Sequence, residues 1–198
     1  MKKKLFAVAL IVVILSILAT GTLAYYTSEA RAHNVITSNS VGIHIEEYQL
    51  VDGELEPYPT DPVPIMPGST VSKIPVVCND DADSYIRACV EILIKYEGDR
   101  QYTLLTDEEA AEFITLAMNE EDWEYDGQKW WYYTPGVVKS GKSTDSLFTE
   151  VSFNGGAMDN DFMSSEIMIN IAGQAVQSAN NPIPADGTVA DVKGWPRN

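Results

Sequence analysis

Alternation of side chains with a period of two is the feature that most constrains this chain. Over residues 166–177, Ile167, Ile169 and Ile171 alternate with Met168 and Asn170, a period of two that a helix cannot gather onto one face. Val41, Ile43 and Ile45 alternate in the same way with Gly42, His44 and Glu46. Over residues 85–96, Ile86, Ala88, Val90, Ile92 and Ile94 share a face that Arg87, Cys89 and Glu91 oppose. Further hydrophobic runs cover residues 71–78 and 147–153, and turn-forming stretches such as Asn79-Asp80-Asp81-Ala82-Asp83-Ser84 separate them. Strands with one buried face, punctuated by turns, predict an all-β sandwich.

One segment departs from that period. Thr106 and Glu109 have capping-box spacing, and Ala110, Phe113, Ile114 and Ala117 form an apolar stripe, which predicts one short helix of about three turns covering an end or edge of the sandwich. Asp126-Gly127 predicts a two-residue hairpin loop. That register sets Tyr125 opposite Gln128, Glu124 opposite Lys129 and Trp123 opposite Trp130. The cluster Trp130-Trp131-Tyr132-Tyr133 then reads as packing of the hairpin onto the core rather than as a carbohydrate platform. Five of the eleven residues from 57 to 67 are proline, so an extended surface loop is expected there instead of an internal strand. Gly68 and Gly141 each precede a strand in a similar small-residue turn, and the tail from Asn180 onward reads as irregular or briefly helical.

The N-terminus points to export. Lys2, Lys3 and Lys4 precede an apolar run over residues 5–19 whose only polar member is Ser16, and Thr22-Leu23-Ala24 supplies small residues before Tyr25. This pattern predicts a signal peptide over residues 1–24, cleaved between Ala24 and Tyr25, and a single β-sandwich domain over 25–198 with an irregular C-terminal tail. The formal net charge is −16, with 29 acidic residues against 13 basic ones. Loss of the three N-terminal lysines makes it more negative still. Such a surface repels phosphate backbones and anionic headgroups, which excludes nucleic acid as a partner and confines membrane contact to the signal before cleavage.

Reactive chemistry is sparse. Gly136-Val137-Val138-Lys139-Ser140-Gly141-Lys142-Ser143 fits a phosphate-loop pattern, but the residues that follow alternate like a strand, whereas phosphate binding needs a helix N-terminus. There are two histidines, His33 and His44, and no His-Glu-x-x-His motif. His44 and Glu46 project to one strand face, which reads as a solvated face and assigns no metal. Asn79-x-Asp81-x-Asp83 imitates the start of a calcium loop but has Ser84 at the glycine position and Val90 at the final glutamate position. Cys78 and Cys89 form either a disulfide, as export would permit, or two small buried residues. The residues assign no catalytic group, cofactor or metal.

The stretch Ala19-Thr20-Gly21-Thr22-Leu23-Ala24-Tyr25-Tyr26-Thr27, followed by Ala32-His33-Asn34-Val35-Ile36-Thr37 and Val41-Gly42-Ile43-His44-Ile45-Glu46-Glu47, resembles the start of the TasA/camelysin family. The resemblance continues at Met66-Pro67-Gly68-Ser69-Thr70, Cys78-Asn79, Tyr85-Ile86-Arg87, Leu147-Phe148-Thr149 and Ala175-Val176-Gln177. It implies a jelly-roll-like antiparallel β-sandwich secreted by a Gram-positive cell after processing by a dedicated signal peptidase. It implies a structural, non-enzymatic role at the cell surface or in the biofilm matrix, with copies of the chain or related matrix subunits as partners. N-terminal strand exchange would build or decorate a fibre, and Val35, Ile36, Val41, Ile43 and Ile45 would form the assembly strand. The family's alternative label is a camelysin-like metal-dependent peptidase.

Overall fold

The computed structural model describes residues 26–28, 42–158, 162 and 164–196. Strands follow in chain order as β1 (Tyr26–Ser28), β2 (Ile43–Val51), β3 (Glu54–Pro57), β4 (Val63–Ile65), β5 (Thr70–Ser72), β6 (Ile74–Asn79) and β7 (Ser84–Lys95). The short β8 (Thr103–Leu104) precedes helix α1 (Asp107–Phe113), β9 (Ile114–Met118), β10 (Trp123–Tyr125) and β11 (Trp131–Tyr133). β12 (Lys142–Ser143), β13 (Phe148–Phe153) and β14 (Glu166–Gln177) complete the set. The chain is the all-β sandwich with one short helix that its alternation predicts.

One layer has the order β10-β11-β7-β14-β1-β4, with β8 also on β7. Its backbone is the antiparallel β7–β14 pair, in register from Ser84↔Gln177 to Lys95↔Glu166. The opposite layer joins β12-β6-β2-β3 to β5-β13-β9, edge to edge: the Lys73 amide donates to the Thr149 carbonyl at 3.1 Å and the Leu147 amide to the Pro75 carbonyl at 2.9 Å. Ile167, Ile169 and Ile171 of β14 meet Ile43 and Ile45 of β2, Val77 of β6 and Phe148 and Val151 of β13 in one core. Each such side chain contributes about 1.5–3 kcal/mol on full burial. The layers meet so closely at Gly173 that a Cβ there would lie 3.1 Å from the Ile43 side chain.

A second cluster forms on the outer face of β7 and β14. Tyr85, Cys89, Trp130, Tyr132 and Val176 are covered by Val189 and Val192 of the C-terminal segment, with Trp195 against them. The face of β7 that opposes the main core is therefore buried too. The irregular tail, which includes a 3₁₀ turn at Val189–Asp191, acts as a cover for it.

The structure corrects several local expectations. The capping box of α1 is present, but the helix ends at Phe113 because Ile114 is extended and starts β9, which pairs with β13. Ile114 and Ala117 thus belong to a strand. The hairpin pairs Trp123 with Tyr133, Glu124 with Tyr132 and Tyr125 with Trp131, not with Trp130, Lys129 and Gln128. A wider loop forms because the Asp126 carboxylate accepts hydrogen bonds from the backbone amides of Gln128, Lys129 and Trp130 at 2.8, 2.8 and 3.0 Å. Trp123 lies in the main core and Trp130 in the second cluster.

The proline-rich stretch supplies the edge strand β4. Cys78 and Cys89 are both free and buried. Cys78 lies on the face of β6 opposite the core residue Val77, while Cys89 sits in the second cluster outside the other layer. The two thiols therefore point away from each other across the sandwich, where no bridge spans them.

Candidate metal centre

Register across the β2–β6 pair builds the most chemically loaded cluster. His44 pairs directly with Cys78, and Glu46 with Val76, so His44, Glu46 and Cys78 share the outer face of one sheet. Their ligand atoms all lie within 4.8 Å of one another. His44 and Glu46 are open to solvent, whereas Cys78 is 8% exposed. β12 adds Ser143 beside Cys78, with its Oγ 3.2 Å from the sulfur.

The acidic turn after β6 fixes the histidine. Asp80 Oδ2 lies 2.7 Å from His44 Nδ1. A carboxylate only accepts, so Nδ1 carries the hydrogen and Nε2 keeps its lone pair when the ring is neutral. Nε2 faces Glu46 Oε1 at 3.4 Å, and the other Glu46 oxygen accepts from the Tyr48 hydroxyl. The Asp80 hydrogen bond raises the His44 pKa above its ordinary value, outweighing partial burial. The Tyr48 hydroxyl, and then His44, hold Glu46 below the usual carboxylate range. Burial pushes the Cys78 thiol up.

The remaining carboxylates of the turn have protein partners of their own. Asp81 accepts from the Gly42 amide at 2.7 Å, and Asp83 binds Lys139 Nζ at 2.7 Å and the Ser140 amide at 3.1 Å. They clamp the start of β2 and the loop before β12, as a structural turn does. Gly136–Ser143 has no phosphate-loop context, because Gly141 (φ +70°) leads into the short strand β12. Gly68 (φ +79°) similarly precedes β5, so both glycine turns lead into strands as expected.

Ala24, Tyr25, His33, Val35, Ile36 and Val41 lie outside the described residues. Ile43 and Ile45, the other two expected assembly residues, are core residues of their own subunit. Sequence reading placed His44 and Glu46 on one face but did not add Cys78, which joins them only through the β2–β6 register.

A groove of about 550 Å³ lies among β7, α1, β9 and the β10–β11 hairpin. Its wall includes Tyr125 stacked on Trp131, with ring centres 5.0 Å apart, and its rim carries the Lys129–Glu91 ion pair at 3.2 Å. The other three aromatics of the 130–133 run are buried, in accord with packing.

No protein-family model, curated protein or solved structure matches the chain. Among the described residues no helix is long and apolar enough to cross a membrane. Fold and cluster together define an all-β sandwich that carries, on one outer face, a His–Glu–Cys group with an exposed glutamate, a half-exposed histidine and a buried thiol.

Proposed function

We propose that this chain is a secreted structural protein of the cell surface or extracellular matrix, which builds or decorates fibres by N-terminal strand exchange. Signal peptidase would free the N-terminus, and the partners would be copies of the chain or related matrix subunits. The observation that supports this reading is the position of β1. It lies parallel to β14 on one side, with Thr27↔Glu166, and antiparallel to β4 on the other, with Thr27↔Pro64. Among the described residues β4 joins its sheet through β1 alone.

Withdrawal of β1 would leave a slot one strand wide, flanked by unpaired edges of β14 and β4. Such edges bind an extended segment through main-chain hydrogen bonds. The same segment from a neighbouring copy satisfies them equally well. Ile43 and Ile45 lie in the core of the single chain, so in this reading the exchanged segment is the one before β2.

Sedimentation and electron microscopy test this reading on a chain beginning at Tyr25 and on one beginning at Gly42. Polymers should form from the first and not from the second. Polymers of equal mass from both would overturn it.

The metal-dependent peptidase alternative has one observation in its favour, the His44–Glu46–Cys78 group, since three protein donors leave a fourth position for water. Hydrolysis of an unstructured protein substrate, abolished by chelator and by His44→Gln, would move the assignment to that class.

A further inference from the structure

We propose that His44, Glu46 and Cys78 bind a divalent cation of the zinc class on the outer face of the β2–β6 pair. This inference stands apart from the assembly reading, because it rests on a different face of the sandwich.

The donor set selects the ion. An imidazole nitrogen, a thiolate sulfur and a carboxylate oxygen suit zinc and its borderline neighbours, whereas calcium and magnesium take oxygen ligands. The lone pairs are also aimed. Asp80 holds His44 Nδ1 at 2.7 Å and so turns Nε2 toward the cluster, the carboxylate–histidine support found behind metal-ligating imidazoles. Tyr48 occupies one oxygen of Glu46 and leaves Oε1 facing Nε2 at 3.4 Å.

When the ring is neutral, the Nε2 lone pair and Glu46 Oε1 face one another, an arrangement that either a proton on Nε2 or a metal cation between them satisfies. The spacing suits a cation: with metal–ligand bonds of about 2.0–2.1 Å, a tetrahedral centre sets nitrogen and oxygen about 3.3 Å apart. The sulfur lies within the same 4.8 Å limit, and the half-exposed Glu46 side chain has room to close on it. On binding, a metal–sulfur bond replaces the Cys78 S–H bond and the proton goes to solvent. Water fills the position facing outward. The bound ion would tie the start of β2 to β6, at the root of the N-terminal segment.

The purified full chain, reduced and stripped with chelator, is titrated with Co²⁺, whose thiolate complexes absorb strongly in the near ultraviolet. The expected result is saturation at a single equivalent, retention of the band in Cys89→Ser, its loss in Cys78→Ser, and its displacement by Zn²⁺. Asp80→Ala should weaken Zn²⁺ binding about 10–100-fold, and His44→Gln and Glu46→Gln at least as much. Circular dichroism of each metal-free variant establishes that it folds. Should Cys78→Ser not fold, the two variants at the solvent-exposed positions decide the matter. No band in the parent chain, a band that survives in folded Cys78→Ser, or Zn²⁺ affinity within twofold of the parent in both His44→Gln and Glu46→Gln would overturn the proposal.

Discussion

The Arg87 guanidinium lies 4.2 Å from the centre of the Trp130 ring on the outer face of β7, where its hydrogen bonds go to uncharged acceptors. Nε and Nη2 donate to Gln174 Oε1 at 2.9 and 2.6 Å, Nη1 to the Tyr132 hydroxyl at 3.0 Å, and Nη2 also to the Pro196 carbonyl at 2.9 Å. Trp195 adds a further ring at 4.9 Å. A buried cation is tolerated when its donors are used and its faces meet aromatic rings. Here it latches the C-terminal segment onto the sheet.

Arg87→Lys keeps the charge but loses the planar fork. Charge-assisted hydrogen bonds contribute about 1.5–3 kcal/mol each, and urea unfolding should register a loss of about that size. Limited proteolysis should then cut between residues 178 and 196 ahead of the rest of the chain. An unchanged cleavage order would count against the latch.

Alternation at Glu166–Gln177 and the Thr106–Glu109 cap were legible because both are local: side chains a few residues apart decide them. The end of α1 was not, since Ile114 leaves the helical stripe to pair with Phe153 of β13. The Asp-Gly hairpin misled for a similar reason. One carboxylate, gathering three amides, set a wider loop than the dipeptide prefers, and it sent Trp130 to the opposite face from Trp123. Cys78 was invisible as a partner of His44, because only strand register brings two residues so far apart in sequence side by side.

Asp126 makes that loop sensitive to pH. Burial alone would raise its carboxyl, but the amides of Lys129, Gln128 and Trp130 outweigh it, and the pKa is lowered on folding. A carboxyl depressed in the folded state stabilises fully above its unfolded pKa of about 3.9, and that contribution disappears as pH falls through the folded value. Asp126→Ala should cost about 1 kcal/mol near pH 6, comparable to the loss of a helix cap. The gap from the parent in urea midpoints should narrow below about pH 4. A gap that stays constant down to pH 2 would mean that the charge has no part in it.

Lys73 and Glu47 form a buried ion pair at 2.6 Å, with side chains 1% and 9% exposed, and the ammonium also sits 4.1 Å from the centre of the Tyr58 ring. Removing one partner strands the other. Glu47→Leu should therefore destabilise by about 3–5 kcal/mol. The double variant Glu47→Leu/Lys73→Met should recover most of that loss, because apolar replacements of similar volume restore packing without a desolvated charge. Chemical denaturation of the three chains checks this, and a double variant no more stable than the single one would show that the charges themselves hold the β5–β6 junction.

Backbone pairing of β1 sets the last expectation. Thr27 pairs with Glu166 on one side and Pro64 on the other, so it occupies an internal position of the sheet, and proline there removes an amide and fits poorly between two strands. Thr27→Pro should leave the main core intact, since the β7–β14 and β2–β6 pairs do not pass through it. Two consequences separate the readings. Under strand exchange the variant stays folded by circular dichroism but no longer polymerises, and it still accepts a parent segment covering residues 25–41 supplied in trans. If β1 serves only its own subunit, the thermal midpoint falls while polymer mass in sedimentation is unchanged, and that result would remove strand exchange as the basis of assembly.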